Sequence, residues 1–158
     1  MVKYENDIRG GIMTVKEYWQ KFIDENKSHK DSEYTAWQFG VDADELAALV
    51  TDGTKTLTCS GLKLYEIEGE EPPSAGDVSV VLGEDDVPKC IIENMKVYTV
   101  AFKDIDADIA WKEGEGDRSL EYWRQAHLDF FIPEFESMGL EFSEDEMIVV
   151  EEFKMIYK

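Results

Sequence analysis

The run P-K-C-I-I-E-N-M-K-V-Y-T-V-A-F, residues 88–102, limits how this chain can fold more than any other feature. It is rich in β-branched, aliphatic and aromatic residues and longer than an ordinary strand, so it must bend or change partners near Asn94. Shorter β-patterns surround it. Val78, Val80 and Leu82 alternate in D-V-S-V-V-L-G before a G-E-D-D hairpin turn. M-I-V-V-E-E-F-K-M-I-Y-K, residues 147–158, places Val149, Phe153, Met155 and Tyr157 on one face. Thr54, Thr56 and Thr58 alternate with Lys55, Leu57 and Cys59, which predicts a further strand.

Helical periods separate these strands. Thr14 and Glu17 have capping-box spacing, and Val15, Tyr18, Trp19, Phe22 and Ile23 then form one apolar face that ends near Asn26 or Lys27. Asp42 and Glu45 have the same spacing ahead of a shorter helix over 43–52, which Gly53 stops. A long helix is predicted from about 119 to 137, with Leu120, Trp123, His127 and Phe130/Phe131 on its inner stripe. Residues 1–13 read as a polar lead-in and 69–77 as a turn-rich loop. The sum is α+β: a small, curled, mostly antiparallel β-barrel flanked by two or three helices.

The 158 residues suit one domain with a real core, and 43% hydrophobic and 12% aromatic content argue against disorder. No apolar run approaches the ~20 residues that span a bilayer. The N-terminus lacks the apolar core of a signal peptide, so the expected location is the cytoplasm. Cys59 and Cys90 are then expected as free thiols, and no His/Cys spacing suggests zinc. A net charge of −20 argues against anionic membranes and long double-stranded DNA, whose binding relies on many Lys and Arg contacts. In so acidic a chain, isolated cations such as Lys55, Arg118 and Arg124 stand out.

Lys55 and Thr58 form the first candidate for chemistry. A threonine hydroxyl needs a base, and a desolvated lysine can be one. On an ideal strand the two side chains point to opposite faces, so they meet only if the strand start curls after Gly53. Taken alone, the segment is an ordinary helix-to-strand junction. In K-E-G-E-G-D, Glu113, Glu115 and Asp117 alternate with glycines, a pattern that suits either a hard cation or an acid-decorated helix entry. The twelfth position of a calcium loop would fall on Arg124, which fails the cation pattern. His127 lies on an apolar stripe, where a structural histidine is the expected reading, and Trp37 and Phe39 suit either a base-stacking or a packing role. No metal or cofactor is expected.

Three segments together, G-T-K-T-L-T at Gly53–Thr58, G-D-V-S-V-V-L at Gly76–Leu82 and E-G-E-G-D-R-S-L-E-Y-W-R-Q-A-H at Glu113–His127, resemble ASCH domain proteins of the PUA-like β-barrel superfamily. The resemblance covers about 34–158 and makes residues 1–30 a helical extension and 31–158 the domain. It implies a cleft that binds RNA or a modified nucleoside, lined by Gly53, Lys55, Thr58 and Ser60, with Trp37 and Arg124 as further ligand contacts. One small branch comprises amidohydrolases acting on N4-acetylcytidine. By likeness to it, Lys55 is the base, Thr58 the nucleophile and Glu115 the proton donor to the leaving amine. That branch has an arginine where this chain has Ser60.

The expected partner is therefore a free nucleoside or a short single-stranded RNA, with the oligomeric state left open. Catalysis on an N4-acylcytidine-like substrate stands beside two alternatives, a non-catalytic RNA- or nucleotide-binding module and a ribonuclease. A partner-binding role would require the first helix to expose Trp19 and Phe22.

Overall fold

The computed structural model describes residues 12–158. The polar lead-in expected over 1–13 lies outside the described residues except for Ile12 and Met13. Five strands form one sheet: β1 (Thr35–Gln38), β2 (Leu57–Gly61), β3 (Val78–Leu82), β4 (Pro88–Ala101) and β5 (Met147–Tyr157). Their spatial order is β1-β3-β4-β5-β2, with β1 parallel to β3 and every other pairing antiparallel. The sheet is open, a half-barrel rather than a closed barrel.

The long strand both bends and changes neighbours. Pairing of β3 with β4 runs only to Val78↔Glu93, and two residues later Met95 is left over between Asn94↔Phe153 and Lys96↔Glu152. Such an extra residue increases local twist, which curls the sheet. Beyond it, the C-terminal half of β4 pairs with β5 alone, and β5 carries β2 on its other side.

Among the described residues five α-helices surround the sheet: α1 (Val15–Glu25), α2 (Ala43–Thr51), α3 (Leu62–Glu68), α4 (Ala107–Glu113) and α5 (Leu120–Ser137). The Thr14/Glu17 capping box is present, and α1 buries Val15, Trp19 and Phe22 against Val78, Val80, Leu82 and Ile91. This burial removes the exposed aromatic face that a partner-binding role for α1 would need. On the opposite sheet face, α2 packs Ala47 and Val50 on Val81, Cys90, Ile92 and Phe153. Around Leu57, Ile148 and Val150, α4 and α5 add Ile109, Trp123, Phe131 and Phe135.

Several local expectations are corrected. Asp42 is the N-cap residue of α2 but makes no side-chain cap bond, so no capping box forms there. The strand predicted from Thr54 begins at Leu57, because residues 54–56 bond to other elements first. Two short helices, α3 and α4, were not anticipated. In β5, Tyr157 turns from the Phe153 face to the α1 face, because Ile156 is an extra residue between Ile92↔Met155 and Ile91↔Tyr157. Met155 is left partly exposed where β5 has run beyond its pairing with β2, which ends at Leu57↔Glu152.

Candidate functional site

The segment between α2 and β2 is held from three directions before it joins the sheet. Gly53, with φ of +85°, turns the chain, and the Thr54 amide donates to Asp52 Oδ1 at 2.8 Å. The Lys55 amide donates to Leu49 O, the Thr56 amide to Lys112 O, and Thr56 O accepts from the Phe153 amide. The end of α4 therefore lies directly against this segment. Gly114 makes that approach possible: its φ is +79°, and a Cβ there would stand 2.7 Å from Thr54 O. Arg118 fastens the same junction, donating to Trp111 O and Thr54 O while its guanidinium stacks 3.7 Å from the Trp111 ring centre.

This packing buries the Lys55 side chain to 1% exposure. Its ammonium donates to Leu57 O at 3.1 Å, Glu113 O at 3.3 Å and Glu115 Oε2 at 3.4 Å, with Glu113 Oε1 at 3.8 Å. Glu113 Oε2 accepts from Trp123 Nε1 at 2.7 Å, and its Oε1 lies 3.4 Å from His127 Nε2. The His127 ring stacks on Trp123, with Nδ1 2.8 Å from Trp123 O.

The two carboxyls beside Lys55 are driven apart. Burial alone would raise Glu113, but the Lys55 charge, His127 and the Trp123 donor outweigh it and hold the group at about 2. Glu115 is pushed up, by burial first and by the Glu113 charge, against the pull of Lys55. Burial, reinforced by Glu113, also holds the Cys59 thiol well above its ordinary value. One carboxyl is thus held ionised while the other binds its proton more tightly than an ordinary carboxyl. Opposed tendencies in neighbouring groups are the arrangement that acid–base chemistry uses.

Lys55, Glu113, Glu115 and His127 border a cleft of about 430 Å³ that Phe39, Thr58, Cys59, Ser60, Tyr122 and Phe130 also line. That volume suits a small organic ligand. Among the sequence-derived candidates, Lys55, Thr58, Ser60 and Glu115 meet in this cleft. The Lys55 ammonium bonds to the Leu57 carbonyl, however, and not to the Thr58 hydroxyl. The Ser60 hydroxyl lies 3.0 Å from Tyr65 Oη.

Gly53, Trp37 and Arg124, expected as ligand contacts, are not among the residues that line the cleft. Gly53 stays in the turn behind Lys55. Trp37 packs edge-on against Phe39, at 4.6 Å, and of these two rings Phe39 faces the cleft. Arg124 sits two residues beyond Tyr122 on α5, on another side of the helix, where it pairs with Glu144 over the Phe102 ring. The cation reading of Glu113, Glu115 and Asp117 also fails, since Asp117 turns away to accept from the Ser119 amide. Among the described residues no group of His, Cys, Asp or Glu is placed to hold a metal ion.

Sequence reasoning passes over Glu113 as a partner of Lys55 and favours a structural over a catalytic role for His127. The available signals were the E-x-E spacing and the pairing of His127 with Trp123 at i, i+4.

The ASCH domain family model matches residues 35–157. Among solved structures, the chain is similar to an ASCH domain from Lactobacillus crispatus at 34% identity and a TM-score of 0.87, covering 94% of this chain and 98% of that one. Protein EF3133 from Enterococcus faecalis is 29% identical, with a TM-score of 0.80 over 90% of this chain and 88% of that one. Hypothetical protein PH0355, at 18% identity and a TM-score of 0.50 over 78% and 97%, shares the fold. No curated protein matches. A family model spanning most of the chain and a relative matched along nearly its whole length agree with the curled sheet: this chain belongs to the ASCH domain family.

Proposed function

We propose that the cleft takes a nucleoside-sized ligand and hydrolyses an N-acyl amide on it, of the kind found in N4-acylcytidines. The observation that carries this reading is one buried lysine holding two carboxyls of opposite tendency beside the strand that presents Thr58. Transfer of a proton from Lys55 to Glu115 leaves an amine, with two N–H donors for the carbonyls of Leu57 and Glu113, and a carboxylic acid. Thr58 Oγ attacks the amide carbon as Lys55 takes its proton. The C–N bond breaks as Glu115 protonates the leaving amine. Water then attacks the acyl ester, returning a proton to Glu115, while Lys55 reprotonates the Thr58 oxygen. Glu113 stays ionised throughout and keeps charge opposite Lys55.

Turnover of N4-acetylcytidine to cytidine and acetate by the purified protein tests this. Thr58→Ala should abolish product formation while still binding the nucleoside, and Glu115→Gln should lower kcat by about 10²–10⁴-fold. Normal turnover by Thr58→Ala would refute the mechanism. A second reading, a binding module without turnover, is favoured by one feature: all three donors of the Lys55 ammonium are already taken. Ligand-induced stabilisation without product, lost in Lys55→Ala, would decide for it. A ribonuclease ranks lower, because a chain of net charge −20 offers few partners for a phosphate backbone.

A further inference from the structure

The cleft is lined with negative charge. Asp42, Glu45, Glu113 and Glu115 face it against the single ammonium of Lys55, whose three donors are held by Leu57, Glu113 and Glu115. Even with Glu115 protonated, the carboxylates outnumber the cation. The two arginines among the described residues supply no relief. Arg118 is spent on Trp111 O and Thr54 O, and Arg124 on Glu144.

Phosphate recognition uses cations with free donors or the amides of a helix N-terminus. At the N-terminus of α2, beside the cleft, Asp42 is the N-cap residue and Asp44 and Glu45 occupy the first turn. That end already carries acidic side chains, which complement its positive pole.

From these charges we infer that the cleft selects against phosphate: it admits a neutral or cationic nucleoside-sized molecule and turns away the 5′-phosphorylated form, with Asp42 and Glu45 as specificity-determining residues. This rests on the nucleoside reading above and adds which form of the nucleoside is accepted. Ser60, a neutral hydroxyl within the cleft, fits the same preference.

Calorimetric titration of the Thr58→Ala protein, which should hold ligand without consuming it, separates the possibilities. The probes are N4-acetylcytidine and its 5′-monophosphate, each at low and high salt. The nucleoside should bind at least about tenfold more tightly than the monophosphate at low salt, with the gap closing as salt screens the rim. Adding Asp42→Asn and Glu45→Gln should narrow that gap by raising the affinity for the monophosphate. Both residues are exposed and Asp42 makes no side-chain cap bond, so this variant keeps the contacts that hold α2. Equal affinity for the two probes would overturn the inference and leave the nucleoside reading intact. A gap indifferent to salt and to the double substitution would overturn the role of Asp42 and Glu45. Binding of neither probe would overturn both the inference and the reading beneath it.

Discussion

Glu113 and Glu151 are both buried carboxyls, and their surroundings act on them in opposite senses. Glu113 is held below its ordinary value, so its contribution to stability is present above about pH 4.5 and is lost as pH falls through the folded value. Glu151, on β5 across from Thr58, accepts from Asn94 Nδ2 at 2.9 Å but has no ion pair among the described residues, and burial raises it. Its contribution is full below the ordinary value and is lost as pH rises through the raised one. Replacing Glu151 by Gln keeps an acceptor for Asn94 and removes the buried charge. Glu151→Gln should therefore raise Tm, by an amount that grows as pH rises from the ordinary carboxylate range through the raised value. A gain that shrinks over that range would contradict this account of Glu151. At this scale spacing alone set Lys55 and Thr58 on opposite faces of a strand, and only the family resemblance implied the shared cleft that Lys55, Thr58 and Glu115 border. Arg124 and Trp37 were singled out for rarity and ring chemistry, which say nothing about direction, and both face elsewhere. Glu113 and His127 take their meaning from the way α4 meets α5, which no short window of sequence displays.

Among the elements, the α4 terminus has most control over the site. Gly114 combines a left-handed φ of +79° with close approach to Thr54 O, and the atoms around it are backbone that cannot swing aside. Gly114→Ala should cost roughly 1–3 kcal/mol in urea denaturation and loosen the Lys55 cluster with it. A neutral effect would show that the junction has slack. Element boundaries were well marked where a period ran long. Examples are the α1 capping box, the hairpin before β4 and the helix read as 119–137, found at Leu120–Ser137 despite Pro133. Helices α3 and α4 have seven residues each, too few turns for periodicity to separate helix from loop. The start of β2 was misread because Thr54–Thr56 alternates like a strand while its amides are committed to Asp52, Leu49 and Lys112.

Over the whole molecule, 36 acidic against 16 basic residues make self-repulsion a standing cost of compactness. Screening should relieve it, so Tm should rise with added sodium chloride up to several tenths molar. A fall in Tm would mean that local ion pairs, such as Lys112 with Asp108 and Glu152, outweigh the global term. The curled α+β class was legible because one over-long strand forces it, whereas the strand order β1-β3-β4-β5-β2 depends on distant pairings that no local pattern encodes. That order also bears on how the protein is made. Among the described strands, β5 is last in chain order yet stands between β4 and β2. While the ribosome is still adding residues, β2 and the distal half of β4 remain as exposed edges with nothing to pair with. Folding waits on the emergence of this one strand, and until then a nascent chain has no pocket to offer a ligand and two edges to offer an aggregate or a chaperone.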